Sequence, residues 1–184
     1  MLALSGCIFA EPPAEPRYFT PRAIDVGAAE VTPRSDSVEL RIRRVRAAPY
    51  LRDRMVWRRG VEIGFYDMWR WTETPARFAQ SWLETEMFER RGFRRTSVPT
   101  SVTLDARLDA FDELLAPAHE ASVSLGIVVT DPIRGTLVDR TFEVRRPIAG
   151  DDPGAVADAL GEALALAAQQ VGDAVAQALE ASPL

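Results

Sequence analysis

Cys7 is the only cysteine and His119 the only histidine in a chain of 184 residues. A lone cysteine closes no internal disulfide. A catalytic thiolate needs a histidine or a packed, electropositive setting to lower its pKa, and His119 lies far along the chain, just past Pro117. One cysteine and one histidine are too few for a Cys/His metal site, and a Cys–His couple would need the terminal Cys7 to meet His119. GxSxG, HExxH, P-loop and GxGxxG patterns are absent. The remaining acid–base candidates are the closely spaced carboxylates Asp105, Asp109 and Asp112, and the pair Asp151 and Asp152. The first three alternate with apolar residues and read as the solvated face of a strand; the pair reads as a helix cap. His119 reads as an exposed loop histidine. The expectation is a protein that is not an enzyme, with no cofactor and no metal.

The position of Cys7 suggests a different use for the thiol. Leu4-Ser5-Gly6-Cys7 matches the bacterial lipobox, in which an apolar residue and two small ones precede the cysteine that is acylated and becomes the mature N-terminus. The small residues let the chain lie in a protease cleft, and the sulfur carries the lipid. A secretory signal requires a basic region and an apolar stretch of about 7–15 residues. Only Met1 to Ala3 stand ahead of the motif, so the true start is expected upstream. The plain alternative is a free thiol in a disordered tail.

A second concentration of chemistry is arginine. The net charge is −5, yet all 22 basic residues are arginine, a bias that reads as codon usage rather than function. Arg41, Arg43, Arg44, Arg46, Arg52, Arg54, Arg58 and Arg59 face Asp53 alone over residues 40–60. Phosphate contacts drive nucleic-acid binding, but alternating Arg and apolar residues also describe the wet face of any strand. With a lipidated cysteine, nucleic acid is not a plausible ligand. A solvated face, an acidic partner and anionic lipid head groups remain, and the planar guanidinium suits the last two. The run FYDMWRWTETP adds Phe65, Tyr66, Trp69 and Trp71; such aromatics are mostly core, while Trp, Tyr and Arg are also enriched at interfaces.

The elements that must hold these residues follow from periodicity. Residues 8–17 form a Pro/Glu tether, and Tyr18-Phe19-Thr20 is a short β-like run. Val38, Leu40 and Ile42 alternate with charged residues as in a half-buried strand. Met55-Val56-Trp57 and residues 61–66 predict two strands turning near Arg59-Gly60. Thr74-Pro75 predicts a helix start with a hydroxyl cap and proline at the first helical position. Phe78, Ala79, Trp82, Leu83 and Met87 then share one face, and Gly92 ends the helix. Residues 101–108 and 121–129 alternate again, and DPIRG turns the second of these into a strand over 136–145. Asp151-Asp152-Pro153 opens a last helix with a narrow stripe of small residues, Val156, Leu160, Ala163, Ala167, Val171, Ala174 and Ala178. The predicted fold is α+β: one domain, a mixed or antiparallel sheet with two main helices packed on it. The length agrees with one domain, and 47% hydrophobic content with a sizeable core. No run reaches the ~20 apolar residues of a spanning helix.

These pieces occur in a familiar order: a lipobox, a Pro-rich tether, Tyr18-Phe19-Thr20, then Val38-x-Leu40-x-Ile42 leading to Ala48-Pro49-Tyr50-Leu51-Arg52. Trp69-Arg70-Trp71 with Pro75 opening a helix, and strand–DPIRG–strand before an alanine-rich helix, complete it. From Cys7 to about Leu179 the chain resembles the ABC-type transport auxiliary lipoprotein family, which includes the PqiC-like lipoproteins of Gram-negative bacteria. The resemblance implies a signal-peptide remnant over 1–6, a lipidated tether over 7–36 and the auxiliary domain over 37–181. It implies a periplasmic lipoprotein held by Cys7 at the inner leaflet of the outer membrane, a destination with which Ile8 agrees. The implied partners are MCE-domain (mammalian cell entry) proteins and ABC transporter components that move lipid between membranes, with a homo-oligomer as a further expectation. The family carries no catalytic residues over. Contact with the partner is expected at Arg41, Arg43, Arg52, Arg58, Trp69, Arg70 and Trp71. Other outer-membrane assembly pathways, or a periplasmic small-ligand binder, stand as alternatives.

Overall fold

The computed structural model describes residues 14–22 and 38–180. Its strands are β1 (Arg17–Phe19), β2 (Glu39–Ile42), β3 (Arg46–Ala47), β4 (Arg54–Arg59), β5 (Glu62–Trp71), β6 (Arg94–Arg95), β7 (Val102–Ala116), β8 (Glu120–Asp131) and β9 (Gly135–Pro147). Helix α1 (Pro75–Glu84) runs into a π-helical turn at Thr85–Arg90, and α2 (Pro153–Glu180) ends the described chain. This is the α+β domain that the alternation predicts, with two helices on a mixed sheet.

β7 is the spine of that sheet. One of its edges pairs antiparallel with β8 from Thr103↔Thr130 to Leu114↔Glu120, and β8 pairs with β9. The other edge is shared by three short parallel strands in succession: β2 at Leu40↔Val102, β3 at Arg46↔Arg107 and β4 at Trp57↔Glu113. β6 flanks β2, β5 flanks β4, and β1 flanks β5. Among the described strands, only β3 has β7 as its sole neighbour. The sheet therefore forks, and β3 lies at the base of the fork.

Alternation decides which face is filled. Leu104, Ala106, Leu108 and Phe111 of β7 and Val123, Leu125, Ile127 and Val129 of β8 are all buried beneath the helices, each such Val, Leu, Ile or Phe contributing about 1.5–3 kcal/mol. The register slips between Leu108 and Ala110, so two residues oppose Ser124. This bulge moves the core phase from Leu108 to Phe111. It also overturns the expectation that Asp105, Asp109 and Asp112 form one solvated face. Asp112, opposite Ser122, keeps no exposure, and Glu113, opposite Ala121, turns toward the helix side.

Both helices start where proline predicts, by different means. Thr74 is extended and makes no side-chain cap, contrary to expectation, whereas the Asp152 carboxylate accepts the amides of Gly154 (2.8 Å) and Ala155 (3.2 Å). Gly92 ends the π turn at φ +69°, with the Phe93 amide donating to the Met87 carbonyl at 3.1 Å. The buried side of α2 is broader than one stripe: Ala157, Ala159, Leu164 and Ala168 are covered too. α2 lies on β7, β8 and β9 and also against α1, the π turn and β1.

Candidate docking surfaces

Cys7 lies outside the described residues. The chain that follows it is fastened to the body twice. β1 extends the sheet beside β5, at Arg17↔Trp69 to Phe19↔Trp71. The Thr72 amide donates to the Phe19 carbonyl at 3.0 Å and the Thr20 and Thr72 hydroxyls meet at 2.7 Å. Arg22 then crosses α2 at Gly161, where a Cβ would strike the Arg22 carbonyl oxygen at 2.6 Å, and pairs with Asp158 at 3.1 Å. From Cys7 to Arg17 the chain reaches at most about 35 Å.

The arginine-rich stretch divides into three settings. Arg41, Arg43, Arg44 and Arg46 line an open concavity of ≈ 930 Å³ at the fork, with Ile42, Val45, Ala47 and Asp105. The Val45 amide leaves the strand ladder to donate to Gln80 Oε1 of α1 at 2.8 Å, burying the Val45 side chain and leaving the flanking arginines outside. By register Arg41 pairs with Thr103 and Arg46 with Arg107, on the face of the sheet away from the helices. Arg43 meets Asp105 at 3.5 Å, and it is the one arginine of the four with a carboxylate partner among the described residues. In a second setting, Arg70 pairs with Asp53 at 3.1 Å and Arg54 with Asp67 at 3.5 Å, while exposed Arg52 donates to the Pro49 carbonyl at 3.2 Å. Arg58 is the third. Its Nε and Nη2 hold Asp112 Oδ2 at 3.0 and 2.7 Å, and Nη2 donates to the Tyr50 hydroxyl at 3.2 Å. Arg58 is committed inside the fold, so it is not a free contact residue.

The tryptophans separate as well. Trp71 is 2% exposed and packs edge-on against Phe78 and Phe111, with ring centroids 6.1 and 5.2 Å apart. It belongs to the core and offers a partner nothing, because β5 turns it under α1. Trp69 stays half-buried and stacks on Tyr66 at 3.8 Å. Of the expected contact set, the structure gathers Arg41 and Arg43 at the fork and keeps Trp69 and Arg70 on β5, away from it.

Asp112 and Glu113 are consecutive carboxylates on opposite faces. The Tyr50 hydroxyl, which donates to the Asp109 carbonyl at 2.9 Å, is pushed up to about 12 by burial and by the Asp112 charge. Tyr66 donates to Glu113 Oε2 at 2.6 Å, and burial and that carboxylate raise its pKa too. His119 Nε2 lies 2.6 Å from Glu113 Oε1, so the histidine is a half-buried partner of a buried acid rather than an exposed loop residue. Nothing in the sequence marks that contact, which spans a turn. These two clusters pin β4, β5 and the β7–β8 turn to the end of the spine. No group of three or more His, Cys, Asp or Glu that could hold a metal occurs among the described residues, and no described helix is long and apolar enough to cross a membrane.

Among solved structures, the fold is similar to protein XCC0632 from Xanthomonas campestris, of the DUF330 family, with TM-score 0.71 and 18% identity over 89% of this chain and 99% of that one. An uncharacterised protein aligns with TM-score 0.62 and 15% identity over 92% and 100% of the two chains. The hypothetical protein CT253 from Chlamydia trachomatis aligns with TM-score 0.56 and 8% identity over 79% and 100%. No curated protein matches the sequence. The profile of the ABC-type transport auxiliary lipoprotein component matches residues 24–172, which spans the fork, α1, most of α2 and all strands but β1. The chain belongs to the ABC-type transport auxiliary lipoprotein family.

Proposed function

We propose that this chain is a lipoprotein of the outer membrane's periplasmic leaflet that serves as a non-catalytic docking subunit of an ABC/MCE-type lipid transport system. Family membership makes it an auxiliary transport lipoprotein. The observation that carries the mechanical role is the double fastening of the N-terminal segment. A pull on residues before Arg17 is delivered to the β1–β5 ladder and to α2 at Gly161, not to a loose end. Acyl chains on Cys7 each gain about 0.8 kcal/mol per buried methylene, and more than one chain is needed for lasting attachment. The body then stays within about 35 Å of the bilayer and presents its sheet to the transporter. The described residues share one apolar core cluster, and the recess between α1 and α2 (≈ 190 Å³, lined by Trp82, Glu86 and Ala168) opens to the surface. That favours docking over enclosure of a small ligand.

The test is membrane fractionation and mass spectrometry of the chain expressed behind a lipoprotein signal, with co-purification of the cognate MCE-domain protein. Acylated Cys7 in the outer-membrane fraction, release by Cys7→Ala without unfolding, and co-purification are expected. An unmodified thiol in the soluble fraction would refute the anchor. Acylated protein that never co-purifies with MCE or ABC components would refute the partner.

A further inference from the structure

We infer that the arginine-lined fork of the sheet is a binding site for an acidic, extended polypeptide segment of a partner protein. The inference deepens the docking role above by giving the contact its chemistry.

Charge comes first. Four guanidiniums stand within six consecutive residues, and Asp105, at 3.5 Å from Arg43, is their only carboxylate neighbour among the described residues. Other arginines stand singly beside carboxylates: Arg54 with Asp67, Arg58 with Asp112, Arg70 with Asp53, Arg91 with Glu86 and Asp173, Arg95 with Glu84. Four arginines sharing one carboxylate among the described residues stand out in a protein of net charge −5.

Shape comes second. The cluster surrounds the base of a notch, because β6 extends the sheet beyond β2 on one side and β5 extends it beyond β4 on the other, while β3 has no outer neighbour among the described residues. A single extended chain can lie along such a notch. Residues at alternate positions of an extended chain are about 6.6–6.8 Å apart and share a face. Arg41 and Arg43, and Arg44 and Arg46, have that same two-residue spacing. An acidic chain with carboxylates at alternate positions can meet several of these guanidiniums at once, and each planar fork can hold a carboxylate through two donors.

Chemistry disfavours single-stranded nucleic acid as the occupant. Single-stranded nucleic acid is held by stacking on aromatic rings beside a cationic groove. The residues lining the fork, from Arg41 to Ala47 with Asp105, include no aromatic side chain.

The test uses the full chain carrying Cys7→Ala, so that no acyl chain contributes, and a fluorescein-labelled eight-residue peptide with glutamate at alternate positions. Fluorescence anisotropy at about 50 mM salt should show saturable binding that weakens several-fold by about 200 mM. Arg44→Glu with Arg46→Glu should weaken it by about tenfold or more, and the milder Arg44→Gln with Arg46→Gln by less. The same double reversal placed elsewhere, Arg77→Glu with Arg146→Glu, should leave it within about twofold. Circular dichroism confirms folding of each variant, which is expected because Arg44 and Arg46 are exposed. Failure of the peptide to bind, equal loss in both double reversals, or tighter binding to phosphatidylglycerol vesicles through the same arginines would each overturn the proposal. None of these outcomes bears on acylation of Cys7, which fractionation decides separately.

Discussion

The backbone of Arg22 rests on Gly161: a Cβ at position 161 would meet the Arg22 carbonyl oxygen at 2.6 Å and its amide nitrogen at 3.0 Å. Glycine inside a helix costs about 1 kcal/mol relative to alanine. Here that cost goes with seating the N-terminal segment. Gly161→Ala should favour α2 while expelling Arg22. Trypsin should then cut after Arg17 and Arg22 several-fold faster, with thermal stability changed by less than about 1 kcal/mol. Unchanged cleavage would show that the segment is held without this contact.

Asp112 is fully buried and its Oδ2 takes two donors from Arg58, which keeps 29% exposure. Removing one partner of a buried pair leaves the other uncompensated, typically at 3–5 kcal/mol. Asp112→Ala should destabilise the fold by about 3 kcal/mol, the low end because Arg58 can reach water. Replacing both, Asp112→Leu with Arg58→Met, should recover most of the loss. Chemical denaturation of the three variants measures it; a single variant as stable as the parent would contradict the assignment.

Alkaline pH tests the same cluster through Tyr50. Its folded pKa, about 12, lies above the ordinary 10.0. A raised folded pKa means the stabilisation is complete below pH 10 and is lost as pH rises toward 12, since the unfolded phenol ionises first. Absorbance near 295 nm should show two late-titrating tyrosines, Tyr50 and Tyr66, of which the earlier is lost in Tyr50→Phe, and the variant should lose stability less steeply from pH 10 to 12.

The DPIRG turn carries an acid-side prediction. Asp131 Oδ1 accepts the amides of Ile133 (2.8 Å) and Arg134 (2.9 Å), and Oδ2 meets Arg134 Nη2 at 2.9 Å. The Arg134 side chain and these amides lower the Asp131 pKa from 3.8 to about 2. A lowered folded pKa means the stabilisation is present above 3.8 and is lost as pH falls through about 2. The Ile133 and Arg134 amides should stay protected from hydrogen exchange at pH 4 and open as pH approaches 2. In Asp131→Ala they should be open throughout.

Several features of this fold were open to inspection in the residues themselves. Alternation at Val123, Leu125 and Ile127 marks β8, Gly60 and DPIRG mark the turns, and Pro75 and Pro153 open the helices at the places expected. Thr74 shows how far such local signals go: a hydroxyl at the right position makes no cap, because the backbone turns into the helix without it. The match to a lipobox at Cys7, outside the described residues, is likewise a purely local pattern.

The sheet's order depends on pairings between distant residues, which no local pattern encodes. β2, β3 and β4 share one edge of β7 because each is too short to cover it alone, and that sharing creates the fork that collects Arg41, Arg43, Arg44 and Arg46. One extra residue at the Leu108/Ala110 bulge sends Asp112 to Arg58 and Glu113 to His119, against the simple period of two. Trp71 went to the core for the same kind of reason: β5 carries it under α1, whereas Trp69, two residues earlier, finds Tyr66 and stays half-exposed. Side-chain type and spacing thus determined the elements and the class of fold. Register between strands far apart in sequence, a property of packed layers rather than of any one segment, decided which charges are buried and which remain to meet a partner.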